Sequence, residues 1–91
     1  MILYVVRPLI IMDPKDTTVL TGQSAQLTCK TLGTDIVYQW MKDSEIVSGA
    51  NSNMLVITNI SESDEGNYKC IARNKGGMAI SKLATVTVYG E

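Results

Sequence analysis

Histidine is absent from this chain of 91 residues. Its absence removes the usual general base near neutral pH, the Ser-His and Cys-His nucleophile pairs, and the commonest metal ligand. The acidic cluster of Glu62, Asp64 and Glu65 lies in a predicted turn, where no pocket is expected to enclose it. We therefore predict no catalytic residue, no metal site and no cofactor.

Charge of either sign is sparse, with eight Lys and Arg against nine Asp and Glu and a net charge of -1. That balance provides no basic surface to release counterions from a phosphate backbone, so we expect no nucleic-acid partner. Long apolar runs are also missing. The run from Met1 to Val6 is too short to cross a bilayer and lacks the features of a signal peptide, so we expect no direct membrane insertion.

Cysteine occurs only twice, at Cys29 and Cys70. This spacing lacks the C-x-x-C pairs of zinc sites and thioredoxin-like centres, which makes metal and redox roles weak. A disulfide is the leading use of the two residues. A length of 91 residues accommodates one compact domain rather than two.

Short segments in which apolar and polar residues alternate recur along the chain, and no segment shows sustained helical spacing. This period of two predicts half-buried strands and an all-β fold. The alternation turns both cysteines towards the core, together with the side chains of Trp40, Leu55 and Ile57.

These residues belong to a pattern that resembles the immunoglobulin superfamily, and within it the I-set group, from about Pro8 to Tyr89. The resemblance is carried by the following motifs: Gly22 with Ala25, Leu27 and Cys29; Trp40 followed by Lys42; Leu55-x-Ile57-x-Asn59-Ile60; Asp64-x-Gly66-x-Tyr68-x-Cys70; and Ala72-x-Asn74-x-x-Gly77. It implies a two-sheet antiparallel β-sandwich with Greek-key connections, in which a Cys29–Cys70 disulfide joins the sheets beside Trp40. The short interval between the cysteines is similar to that of domains without the extra C″ strand.

The resemblance gives three further residues a role in the fold. Tyr68 lies two positions before the second cysteine, where a tyrosine corner bonds its hydroxyl to upstream backbone. Asp64 and Gly66 are expected to turn the chain into that strand. Many family members pair this Asp with an Arg, but residues 48–54 contain no basic residue. We therefore expect Asp64 to cap the turn alone.

The domain is expected to span residues 8–91. Residues 1–7 lie outside the motif, and their alternation followed by Arg7-Pro8 resembles a linker or the remnant of a preceding domain. The alternative is an ordered N-terminal strand of the same domain. The first interpretation suggests one of several tandem immunoglobulin domains.

A sandwich of this type supplies rigid faces and loops, so its function is expected to be binding or spacing. We predict a module of a cell-surface receptor or adhesion protein, with protein partners, homophilic or heterophilic, and neighbouring immunoglobulin domains. The alternative is an intracellular structural domain of a giant, titin-like muscle filament protein. Two inward cysteines favour the oxidising extracellular compartment. Asn59 begins a glycosylation sequon, although one such triplet is expected by chance.

The outward residues of the strands suggest a contact face. Val37, Met41, Ile71 and Leu83 are predicted to point to solvent from one sheet, whereas Val56 is expected to be the only outward apolar residue on the other. Clustered exposed apolar side chains often mark a protein contact. The alternative is a scatter of surface hydrophobic residues, which is normal in soluble domains.

Overall fold

The structure is a computed structural model that describes residues 4–90. Strands predominate in this range, and one 3-10 turn at Glu62–Asp64 is the exception. The strands, in chain order, are β1 (Leu9–Met12), β2 (Thr17–Leu20), β3 (Ala25–Thr28), β4 (Lys30–Leu32), β5 (Val37–Lys42), β6 (Glu45–Ile46), β7 (Met54–Ile57), β8 (Gly66–Asn74), β9 (Gly77–Ile80) and β10 (Ala84–Tyr89).

The strands form two layers. In the first layer β1 pairs with β4 and β3 pairs with β7, and β3 and β4 are successive parts of one extended segment interrupted at Cys29. The second layer has the order β2-β10-β8-β5-β6, with β9 also paired to β8. The chain crosses repeatedly between the layers in a Greek-key path. The predicted all-β sandwich is confirmed.

One pairing is parallel rather than antiparallel. β2 runs parallel to β10, with Thr17 opposite Val86 and Leu20 opposite Tyr89. The chain leaves the first layer after β1, where Pro14 cannot donate a ladder hydrogen bond. Asp13 Oδ1 accepts from the main-chain N–H of Lys82 at 2.9 Å, which ties this crossing segment to the second layer.

The core lies between the layers and is built from alternate residues of the strands. Alternation places every second side chain of a strand on the same face, and β3, β5, β7, β8 and β10 each contribute two or three residues to the core. The largest fully buried side chains are those of Trp40, Leu27, Ile60, Val86, Cys29 and Cys70.

Candidate functional site

The two cysteines meet in the centre of this core. Cys29 belongs to the first layer, and Cys70 lies on β8 of the second layer, opposite Trp40 on β5. None of the three has exposed surface. The side chains of the two cysteines lie close enough to affect each other's pKa, so their sulfur atoms are neighbours. Both residues are free cysteines in the structure, and the disulfide remains a prediction that this adjacency permits.

Burial also determines what chemistry the cysteines can perform. It raises the pKa of the Cys70 thiol to about 12, with the neighbouring Cys29 contributing in the same direction. It raises the pKa of Cys29 as well. Because the thiolate is the nucleophile and the metal ligand, protonated and inaccessible thiols are unreactive towards outside molecules. The reaction that this arrangement permits is formation of a Cys29–Cys70 disulfide, in which both thiols lose a proton and an external oxidant accepts two electrons.

Trp40 connects the cysteine pair to the segment that precedes β7. Its indole Nε1 donates to the main-chain oxygen of Ser52 at 2.8 Å, so the one polar atom of the buried ring is satisfied. Leu55 and Ile57 face inward from β7, Leu55 buried and Ile57 half-buried against the core. All three side chains therefore lie in the core or pack against it.

Tyr68 forms the corner that precedes Cys70. Its hydroxyl donates to the main-chain oxygen of Asp64 at 2.5 Å, and burial followed by the charges of Asp64 and Asp43 raises the pKa of Tyr68 to about 12. Asp64 Oδ2 accepts from the main-chain N–H of Ser61 at 2.9 Å and caps the 3-10 turn. A Cβ at Gly66 would lie 2.5 Å from the Asp43 carboxylate, so the Asp43 side chain would have to move to admit a larger residue. These contacts stabilise the fold.

Ser81 is a buried polar residue that the sequence analysis did not single out. Its hydroxyl accepts from the main-chain N–H of Cys70 at 2.9 Å, and its own N–H donates to the Cys70 oxygen at 2.9 Å. The same hydroxyl donates to the Lys82 oxygen. Ser81 thus bonds to β8 from the connection between β9 and β10. Its signal in the sequence was a polar residue between two alternating apolar segments.

The outer face of the second layer carries the predicted contact residues. Val37 and Leu83 are 60% and 57% exposed, whereas Met41 and Ile71 are half-buried on the same face. Their neighbours extend the patch, since Ile71 lies opposite Ile80 on β9. We call this set the outer apolar face; its further members are Ile46, Met78 and Ile80.

The expectation for the other layer is wrong. Val56 is not its only outward apolar residue, because Met54 on the same strand is also exposed. The strand β1, which was not predicted, adds further exposed apolar side chains at the opposite edge of this layer, together with its partner β4: Leu9, Ile11 and Leu32. Exposed apolar side chains therefore do not by themselves distinguish the two faces.

Two basic residues lie on the outer apolar face. Lys69 and Arg73 lie on β8 at the same outward positions as Ile71, since Cys70 and Ala72 between them point inward. Arg73 Nη2 donates to Gln39 Oε1 at 3.0 Å, which holds the guanidinium across the sheet. A partner carrying carboxylates at its rim would complement this face.

The predicted glycosylation residue lies just beyond β7. Asn59 is exposed and has a positive φ of 48°, a conformation that Asn tolerates better than most residues. The next residue, Ile60, is 1% exposed and anchors the turn in the core. The acceptor nitrogen of the sequon is thus presented on a fixed turn.

Residues 4–7 form no strand and lie against one end of the sandwich. Val6 exchanges hydrogen bonds with Thr34, whose N–H donates to the Val6 oxygen at 3.1 Å, and Asn74 Nδ2 donates to the same oxygen at 2.6 Å. Beside them is a hollow of about 520 Å³ between the β4–β5 loop and the β8–β9 hairpin. Residues 1–3 of the predicted linker lie outside the described residues.

Within residues 4–90, no group of three or more Cys, Asp or Glu side chains is placed to hold a metal ion. Over the same range, no helix has the length and apolar character needed to cross a bilayer.

Comparison with known proteins gives a consistent family. A family model described as "Immunoglobulin domain" matches residues 8–88. Vascular endothelial growth factor receptor 1 of Gallus gallus is 37% identical over 91 residues, covering 91% of this chain but 7% of that protein. The chain therefore spans a small fraction of the length of this relative.

Solved structures agree with this family. The structure of sidekick-1 immunoglobulin domains 1-5 has a TM-score of 0.86 at 27% identity, with 97% of this chain and 21% of that chain covered. The complex of titin M10 with obscurin like 1 Ig gives a TM-score of 0.85 at 28% identity, with coverages of 94% and 97%.

Proposed function

The chain belongs to the immunoglobulin domain family, and on that premise we propose that it is a non-catalytic, protein-binding and spacing module of a cell-surface receptor or adhesion protein. The observation that carries the proposal is the outer apolar face, on which apolar side chains of β5, β6, β8 and β9 lie together with the basic residues Lys69 and Arg73. Similarity to a growth factor receptor supports the receptor assignment. The segment 47–53 holds no strand between β6 and β7, which agrees with the expected absence of a C″ strand.

A tandem arrangement is part of the proposal. Residues 1–7 are assigned to a linker and residues 8–91 to the domain. Support comes from the hydrogen bonds of Val6 to Thr34 and Asn74, which fix the direction in which the chain enters the sandwich. A preceding domain would then abut the end formed by the β4–β5 loop and the β8–β9 hairpin. The similar sidekick-1 structure contains five immunoglobulin domains in one chain, which agrees with such an array.

The contact face is tested by replacing its apolar side chains with charged ones. We expect Ile71→Lys and Met41→Glu to abolish adhesion between beads coated with the protein, or binding of labelled tetramers to cells of the native tissue. Leu9→Lys on the other layer is the matched control, because Leu9 is similarly exposed at 58%. If the two face variants and the control behave like the unchanged protein in both assays, the outer apolar face is not a contact surface.

The second candidate is an intracellular structural domain of a muscle filament protein, which the likeness to titin M10 favours. The two candidates differ in the chemistry of Cys29, Cys70 and Asn59. Disulfides form in oxidising compartments, and glycans are attached during secretion. The intact mass of material from its native source, before and after reduction and thiol labelling, separates them. A bridge with a glycan supports the cell-surface module, and two labelled thiols without a glycan support the filament domain.

A further inference from the structure

The first layer ends in a strand edge that nothing in the described chain covers. β7 pairs with β3 on one side, and over residues 4–90 no strand pairs with its other side. The chain reaches β7 from β6 through residues 47–53, which form turns rather than a strand. This free side of β7, together with the groove beside it, we call the β7 edge.

The hydrogen-bonding pattern shows which main-chain groups the β7 edge offers. The N–H of Cys29 donates to the oxygen of Asn53 at 2.9 Å, and in an antiparallel ladder the residues that bond to a given partner strand alternate. Leu55 and Ile57 therefore turn their main-chain groups to β3. Met54 and Val56 turn theirs to the free side.

Met54 and Val56 differ in what occupies those groups. The hydroxyl of Ser52 accepts from the N–H of Met54 at 3.2 Å and donates to its oxygen at 2.8 Å. A local side chain thus satisfies both groups of Met54. Val56 is half-exposed, and its N–H and oxygen face the groove with no partner among the described residues, available for a pair of strand hydrogen bonds.

The strand β7 and the residues that flank it also lack the charged side chains and prolines that usually block strand pairing. Exposed edges are commonly protected by charged residues, especially Lys, or by Pro. From Ile46 to Ser61 the sequence contains no Lys, Arg, Asp, Glu or Pro. No charge on this stretch would be buried unpaired by an incoming neutral strand.

The groove beside this edge has room for a strand. It has a volume of about 790 Å³ and separates β7 from β6 and the segment 47–53. Inward residues of the core reach it, so an incoming strand would bury apolar surface as well as form main-chain bonds. Core residues that line the groove are Ala50, Leu55, Ile57 and Tyr68. Of its charged lining residues, Lys42 and Asp64 already bond to main-chain groups of Ser63 and Ser61, and Glu45 lies on β6.

We propose that the β7 edge binds an extended, uncharged segment of a partner polypeptide, which adds a strand to the first layer. The segment has apolar side chains at alternate positions, because every second residue would face Leu55 and Ile57. Its main chain pairs with the free N–H and oxygen of Val56. This site is separate from the outer apolar face, and it adds a second partner surface to the proposed binding function. This mode of recognition takes affinity from main-chain bonds and specificity from alternate side chains.

The probe for this proposal is a short synthetic peptide of alternating Val and Thr, acetylated and amidated at its ends. We expect its addition to the isotope-labelled 91-residue protein to shift the amide resonance of Val56 and those of the segment 47–50. The control is the same peptide with its alternate amide nitrogens methylated, which removes the donors needed for strand pairing. We expect the methylated peptide to bind about tenfold more weakly, the loss of one or two net hydrogen bonds.

Two protein variants localise the effect. Val56→Lys places a charge at the edge and is expected to weaken peptide binding by about tenfold. Leu9→Lys places the same charge on an exposed apolar position of the same layer and is expected to leave binding unchanged. Ser52→Ala frees the main-chain groups of Met54 and is expected to strengthen binding, whereas a purely side-chain contact would not respond.

Four outcomes contradict the proposal. They are the absence of any shift, equal shifts with the methylated peptide, shifts confined to the outer apolar face, and concentration-dependent dimerisation through β7 that excludes the peptide. The last outcome would make a second copy of the chain the occupant. Shifts confined to the outer apolar face would support the proposed function while rejecting the β7 edge, so the failures of the two proposals are distinguishable.

Discussion

Reduction of the predicted bridge between Cys29 and Cys70 is expected to destabilise the domain strongly. The bridge would close a loop of about 42 residues. In the chain-entropy model, opening such a loop restores denatured-state freedom equivalent to about 4 kcal/mol. A domain of this kind is stable by about 5–15 kcal/mol, so the loss is a large fraction of the total. The native packing around Trp40 would remain, because the two sulfurs are already neighbours in the core.

The measurement is urea unfolding followed by the fluorescence of Trp40, with and without dithiothreitol. With a slope of about 1–2 kcal/mol per molar urea, the midpoint is expected to fall by about 2–4 M on reduction. A variant with Cys29→Ala and Cys70→Ala is the control, since its unfolding cannot depend on the reductant. Coincident curves for oxidised and reduced protein would refute the reasoning, as would two labelled thiols in protein that had been oxidised before it was unfolded.

Two further predictions concern single contacts, and a third concerns the glycosylation sequon. The fold raises the pKa of Tyr68 from 10.0 to about 12, so the free energy of unfolding is expected to fall by about 3 kcal/mol as the pH rises through this interval. The variant Tyr68→Phe is expected to show no such decline when alkaline denaturation is measured. Ser81→Ala leaves the buried N–H of Cys70 unpaired and is expected to cost about 1–3 kcal/mol in urea unfolding, with the exposed Ser48→Ala as control. Asn59→Gln is expected to remove a glycan mass from protein secreted by eukaryotic cells, while Asn51→Gln leaves it.

The central strands could be predicted from the sequence because each has one buried and one exposed face. The segments around Cys29 and Cys70 alternate clearly, and the structure places β3 and β8 there. β1 was missed, since its sequence Leu-Ile-Ile-Met is apolar throughout and gives no period of two. β2 was missed because its parallel partner, β10, is remote in the chain, and nothing local indicates such a pairing.

Some residues of the candidate site could be predicted from the sequence, and others could not. Inward residues such as Trp40 and Tyr68 follow from alternation and from the family motif. The outer faces cannot be predicted in this way. Alternation indicates which side chains point outward, but the neighbours of each side chain depend on the order of the strands in the sheet. Ile80 joined Ile71 only when β9 proved to pair with β8. Ser81 escaped notice because its importance lies in two main-chain bonds to Cys70, which no side-chain pattern records.

The free edge of β7 results from the short connection between β6 and β7. Residues 47–53 connect β6 to β7 and form turns. They leave too few residues for another strand beside β7. The short interval between the cysteines was interpreted as the loss of a strand from the other sheet. The same shortness also uncovers Val56, because a strand can protect its neighbour only if the chain is long enough to form it.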